Sequence, residues 1–198
     1  MRIVSGSLKR RPLAAPEGLD VRPTSDRARQ ALFNILEHRE ERPLIDARVL
    51  DVFAGSGALG IEALSRGAAH CTFIENLPAA LAAVRLNIGK LGLAGQTTVL
   101  GRDATRPGPA PASATLPAGL VFLDPPYRSG LALPALTALR AGGWIADGAL
   151  ISVEVGAKED FAPPDGFEGL DERRYGAARL LLMKAPGEAG PQPITSLT

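Results

Sequence analysis

From about residue 48 the chain alternates short apolar runs with segments of helical length, and this alternation restricts the fold more than any other feature. "RVLDVFA", "HCTFIE", "QTTVLGRDA", "GLVFLD" and "ALISVEVG" read as strands, with "ALGIEALSRG", "PAALAAVRLNIGKLG" and "LALPALTALRAGG" as helices among them. Strands apolar along their whole length are buried on both faces, which calls for a parallel sheet covered by helices through right-handed βαβ units. "FEGLDERRYGAARLLLMKA" predicts a closing antiparallel hairpin. The expected fold is therefore α/β: a doubly wound, mostly parallel, seven-stranded Rossmann-like sheet with an antiparallel C-terminal hairpin and a small N-terminal arm.

The flanks are read from charge and punctuation. Residues 1–23 carry Gly6, Pro12 and Pro16 and predict a basic arm or hairpin. A leading helix is expected over 24–39, with Thr24 as N-cap, and the folded domain over 24–185. The Pro/Ala-rich segment 105–119 reads as loop, and 186–198 as a disordered tail. Net charge is +1 overall, yet residues 1–30 hold seven Lys and Arg against three acids. That polarity fits either a polyanionic partner, for which Lys9, Arg10, Arg11, Arg22 and Arg27 are the candidate contacts, or a solvated arm. One cysteine excludes an internal disulfide framework, and no apolar run reaches membrane-spanning length. A cytoplasmic protein with no membrane partner is the expectation.

Open sheets of this kind bind ligands beyond the carboxyl ends of their strands. The first strand leads into "DVFAGSGALG", where Gly55, Gly57 and Gly60 give G-x-G-x-x-G between strand and helix. The second ends in Glu75, twenty residues after Gly55, at the spacing of an acid that accepts ribose hydroxyls. Asp51 precedes the glycines, where it suits an ammonium and repels a pyrophosphate. The third strand ends near Asp103, suited to an exocyclic amine. Three acids favour an amine-bearing, cationic nucleoside, and S-adenosylmethionine fits better than NAD.

The fourth strand leaves the sheet through Asp124-Pro125-Pro126-Tyr127. Prolines end the ladder and stiffen the loop beyond it. An exocyclic amine on a nucleobase is a poor nucleophile, because its lone pair is delocalised into the ring. Asp124 and the Pro125 carbonyl, accepting its two N–H bonds, would favour a pyramidal nitrogen with its lone pair aimed at the methyl. Tyr127 can stack on the base.

Taken together, "DVFAGSGALG", "FIEN", "GRDA" and "DPPY" resemble the class I S-adenosylmethionine-dependent amino-methyltransferases. With "RIVSGSLKRRPL" and "RPTSDRARQALFNIL", the chain resembles the RsmD-type 16S rRNA (guanine-N2)-methyltransferases over roughly residues 1–185. The resemblance implies a cofactor site at Asp51, Phe53, Gly55, Ser56, Gly57, Glu75, Asn76, Asp103 and Ala104. It implies catalytic residues Asp124, Pro125, Pro126 and Tyr127, and methyl transfer to guanine N2 of 16S rRNA within the small ribosomal subunit. A monomer without a metal site is expected, since His38 and His70 lack ligand spacing. The rivals are a DNA adenine-N6 methyltransferase, an NAD-dependent oxidoreductase and a non-catalytic RNA-binding protein on the same fold. Cys71 and Trp144 read as packing, Glu154 as structural with a pocket role as the alternative, and "DERRYG" as a solvated hairpin.

Overall fold

A computed structural model describes residues 1–16 and 26–187, with the side chains of residues 26 and 27 outside the description. Helix α1 (Asp26–Glu37) precedes β1 (Arg48–Val52), α2 (Ala58–Ser65), β2 (His70–Glu75), α3 (Pro78–Leu91) and β3 (Thr97–Gly101). Then come β4 (Ala118–Leu123), α4 (Ala132–Ala141), β5 (Ile145–Gly156), β6 (Glu168–Tyr175) and β7 (Ala178–Lys184). The seven strands lie in the order β3-β2-β1-β4-β5-β7-β6. β1 to β5 pair in parallel, whereas β7 runs antiparallel between β5 and β6. This is the expected doubly wound sheet with its terminal hairpin.

Continuous apolar strands give two cores, one on each face. On one face Phe33 and Leu36 of α1, Ile61 of α2 and Val84 of α3 meet Leu120 and Phe122. On the other, Leu136 and Leu139 of α4 pack with Trp144, Val121 and Ile151. Trp144 is fully buried, and its indole N–H donates to the Gly108 carbonyl at 2.8 Å. That bond pins the Pro/Ala-rich segment, which is irregular through Pro117 before β4 takes up its last two residues, Ala118 and Gly119. Cys71 is likewise buried, and burial pushes its thiol well above the usual range, in keeping with a packing role.

Two boundaries differ from expectation. The leading helix ends at Glu37, and its expected start at Thr24 lies outside the described residues. β5 begins at Ile145, four residues before the apolar run, because a register shift lets "IADG" continue the ladder. Of the two forms expected for the basic N-terminus, arm or hairpin, residues 1–13 form a hairpin docked on the domain. Ile3 N–H donates to Arg11 O, Arg10 N–H to Ile3 O and Leu13 N–H to Met1 O, all at 2.9–3.0 Å.

The hairpin is fastened to α2 and α3 by polar side chains. The Glu62 carboxylate, 0% exposed, accepts Val4 N–H at 2.7 Å and Ser5 N–H at 2.9 Å. Ser65 Oγ accepts Leu8 N–H and donates to Ser5 O, and Asn87 Oδ1 accepts Ala14 N–H at 2.8 Å. Arg66 completes the junction, with its guanidinium 4.7 Å from the Phe33 ring and bonded to both Glu62 and Glu37.

Candidate active site

Strand order reverses direction between β1 and β4, and such a switch point leaves a crevice outside the strand ends. The glycine loop rises from β1 and the Asp-Pro-Pro-Tyr loop from β4. Asp124 N–H donates to Val52 O at 3.3 Å, so the two loops start from one rung of the sheet.

The glycines divide into two roles. A Cβ on Gly60 would lie 2.4 Å from Cys71 Sγ, and one on Gly57 (φ +79°) 2.6 Å from Val84 Cγ2. Both are therefore needed for close packing of α2 and its entry turn on β2 and α3. Gly55 differs: a Cβ there would meet nothing nearer than Phe53 O at 4.0 Å, which leaves its loop open to a ligand.

Glu75 is held with its acceptors fixed. Oε2 accepts Gly55 N–H at 2.9 Å, and Oε1 accepts Asn76 and Leu77 N–H at 2.8 and 2.9 Å. A carboxylate has about four acceptor sites, so capacity remains for a ribose hydroxyl. Asp51 lies deeper, 1% exposed, with Oδ2 accepting Gly60 N–H at 2.8 Å. Burial pushes its carboxyl well above the usual range, and the charges of Asp124 and Glu75 push the same way. Asp51, Glu75 and Asp124 thus form one cluster of interacting carboxyl groups.

Asp103 stands apart from that cluster. Its Oδ1 accepts Thr105 N–H at 2.9 Å and Thr105 Oγ–H at 2.7 Å, and these bonds hold its carboxyl below the usual range. Ala104 beside it is buried, and Phe53 takes a left-handed φ of 60° at the loop entry. Ser56 is buried with its carbonyl accepting Asn87 Nδ2–H at 2.9 Å, while Asn76 is exposed.

In the second loop Pro125 is buried and Pro126 exposed. Tyr127 is 40% exposed, yet its hydroxyl donates to Glu154 Oε1 at 2.5 Å. A narrow cleft beside Asp124 is lined by Ser152, Glu154, Arg29, Leu59 and Leu180. Glu154, structural on the sequence reading, therefore belongs to the site. The signal available was that two apolar strands, neighbours in a parallel sheet, both carry an acid near the carboxyl end. Glu159, also unforeseen, braces the loop by accepting Arg128 N–H at 2.9 Å and Gly130 N–H at 3.4 Å.

Among the described residues, the predicted basic contacts Lys9, Arg10 and Arg11 lie away from this rim. Lys9, Arg10 and Arg11 are exposed at the hairpin turn. Ser7 N–H bonds Ser65 O at the far end of α2, and Arg11 reaches Lys90 O near the far end of α3. Arg22 and the Arg27 side chain lie outside the described residues. Among the described residues no group of three or more His, Cys, Asp or Glu is placed to hold a metal, and no helix is long and apolar enough to cross a membrane.

The donor set decides between candidate cofactors. Carboxyl groups at Asp51, Glu75 and Asp124 would oppose the pyrophosphate of a dinucleotide and would suit a sulfonium and an ammonium. Asp51→Asn tests this. It removes an ionisable group from a buried site and keeps an acceptor for Gly60 N–H, so the free protein should melt at an equal or higher temperature. S-adenosylmethionine affinity, by titration calorimetry, should fall about tenfold or more with loss of a charge-assisted contact. Unchanged affinity would remove Asp51 from the cofactor site.

A seven-stranded sheet with an antiparallel seventh strand, a glycine turn after β1 and an acid ending β2 define the Rossmann-like methyltransferase class. An RNA methyltransferase from Salinibacter ruber, solved with S-adenosyl-L-homocysteine, shares this fold at TM-score 0.59 and 16% identity, over 86% of this chain and 97% of that one. The solved Escherichia coli protein yhhF superposes with TM-score 0.78 at 36% identity, covering 95% of this chain and 99% of its own. The chain belongs to the RsmD family: the family model described as Conserved hypothetical protein 95 matches residues 1–184. Ribosomal RNA small subunit methyltransferase D of Escherichia coli K12 is 42% identical over 154 residues, 78% of this chain and 74% of that protein. The protein of the same name from Haemophilus influenzae is 33% identical over 182 residues, 89% of each chain.

Proposed function

We propose that this protein transfers a methyl group from S-adenosylmethionine to the N2 amine of a guanine in 16S rRNA, acting as a cytoplasmic monomer on the small ribosomal subunit. The observation that carries the proposal is the carboxylate cluster of Asp51, Glu75 and Asp124 at the switch point, with Asp124 rooted in a proline-stiffened loop. The names of the relatives support rRNA as the substrate, and the basic hairpin supports a polyanion.

Bound S-adenosylmethionine would supply an electrophilic methyl group and leave as a neutral thioether. Glu75 would hold its ribose, Asp51 would answer its positive charge, and the open side of Gly55 would admit it. Asp124 and the Pro125 carbonyl would accept the two N2 hydrogens and aim the nitrogen lone pair. The N2 proton lost on bond formation would pass to the Asp124 carboxylate and on to water. Tyr127 would cover the base. Extrusion of the guanine from its stack costs a few kcal/mol, offset by these contacts.

The test supplies labelled S-adenosylmethionine with unmodified small subunits, naked 16S rRNA or duplex DNA, and identifies the methylated nucleoside by mass spectrometry. N2-methylguanosine from RNA is expected. N6-methyladenine from DNA alone would overturn the substrate assignment.

The hairpin has its own test. Combined Lys9→Ala, Arg10→Ala and Arg11→Ala substitutions should weaken RNA binding at physiological salt. They should lower the salt dependence of log K by about two units, given roughly 0.7–0.9 per phosphate contact. The turnover rate at saturating RNA should be unchanged. An unaltered salt slope would show that the hairpin does not touch phosphates.

A further inference from the structure

We propose that Glu154 is the residue that selects guanine, by accepting the N1–H next to the amine that Asp124 holds. The inference rests on the reading of the site as a guanine-N2 methyltransferase and names a residue that the chemistry alone does not require.

β4 and β5 pair in parallel up to Leu123 and Val153, so Asp124 and Glu154 are the next residues on neighbouring strands, about 4.8 Å apart in the ladder direction. Both line the same cleft, with Ser152 two residues before Glu154 on the same face. Glu154 is 6% exposed and stands opposite Leu180 on β7, with Leu32 and Leu59 closing the wall. A carboxylate in such a wall is costly without a donor. The donor it has is the Tyr127 hydroxyl, which reaches back from the catalytic loop. That bond shows the acceptor of Glu154 facing the Asp-Pro-Pro-Tyr loop, where a base would enter. Burial pushes its carboxyl up and the Tyr127 bond opposes the push; either protonation state keeps an acceptor oxygen.

The edge of guanine that carries N2 presents two adjacent donors, N1–H and N2–H. Adenine presents its amine beside an N1 lone pair. Two acceptors side by side match the first edge and set lone pair against lone pair on the second. Base entry then exchanges one donor on Glu154 for another: N1–H replaces the phenol, and the Tyr127 ring is released to lie over the base. A buried acceptor left without its donor is strongly unfavourable, the arrangement by which sites reject analogues lacking a single N–H.

The experiment compares small subunits reconstituted with 16S rRNA carrying guanine or 2-aminopurine at the modified position. 2-Aminopurine keeps the N2 amine and has a lone pair at N1. The wild-type protein should methylate guanine at least about 100-fold more efficiently in kcat/KM. Glu154→Gln, whose amide can turn either its oxygen toward guanine N1–H or its N–H toward the 2-aminopurine lone pair, should keep part of the guanine activity, gain 2-aminopurine activity and bring the ratio to within about tenfold of unity. A wild-type ratio near one overturns the proposal whatever the variant does, while leaving guanine-N2 methylation standing. A large ratio unchanged in Glu154→Gln also overturns it. Absence of N2-methylguanosine from the wild-type protein on guanine subunits would instead overturn the reading of the site itself, and this proposal with it.

Discussion

Asp124→Ala should slow methyl transfer by about 10³-fold with cofactor binding kept within about threefold. The size is that of removing one preorganised polar contact made to the reacting group, on the order of 10²–10³. Asp124 is also the charge through which the loop acts on Asp51. Removing it lets the buried Asp51 carboxyl fall toward its usual range, so the variant should remain folded and still take up cofactor. Asp124→Asn, which keeps one acceptor oxygen but no charge, should lie between the two. Incorporation of labelled methyl at saturating cofactor gives the rate, and calorimetry gives the affinity. Retention of more than a tenth of wild-type activity in Asp124→Ala would remove this residue from the chemistry.

The largest effect on stability belongs to Glu62→Ala. Glu62 lies on α2 with 0% exposure and meets Arg66 Nη2 at 2.7 Å, Arg29 Nε at 3.9 Å and two backbone N–H groups of the hairpin. Truncation takes the buried carboxylate away from Arg66 and Arg29, leaving Arg66 with Glu37 and Arg29 with the Arg2 carbonyl, and deprives Val4 and Ser5 of their acceptor. Breaking a buried ion pair from one side costs about 3–5 kcal/mol. At roughly 2–4 °C per kcal/mol for a domain of this size, Tm should fall by about 10 °C. Amide exchange should quicken first at Val4 and Ser5, because detaching the hairpin requires only local opening. Glu62→Gln keeps acceptor capacity and should cost less. A fall under about 2 °C for Glu62→Ala would mean that water replaces the carboxylate.

These two residues also show what could be seen in the sequence. Asp124 was legible because two prolines directly after an apolar strand have few uses other than to stop it and stiffen the exit loop. The sheet was legible for a similar reason, since strands buried on both faces advertise themselves as unbroken apolar runs. Glu62 gave no such signal. It sits in an apolar helix, and its backbone partners are fifty-seven and fifty-eight residues away. Glu154 was hidden by topology: its neighbour Asp124 is beside it only because β4 and β5 pair in register, and the donor on it arrives from a loop. The glycine fingerprint was right in position and mixed in role, with Gly57 and Gly60 serving packing and Gly55 facing open space. Sequence spacing does not reveal which side of a turn a neighbour occupies.

The docked hairpin sets a length scale for the substrate. Its basic turn is fastened at the far end of α2, eight residues and so about 12 Å of helix away from the glycine loop. At about 3.4 Å per stacked nucleotide, that separation spans on the order of four nucleotides of one strand. Under the proposed function the protein would act like a caliper, with the reacting base at one jaw and phosphates at the other. A free nucleotide or a very short oligonucleotide would fill one jaw only. RNA held rigid by its own fold or by ribosomal proteins would present both points at a fixed distance, so the gap itself would help to choose one guanine among many.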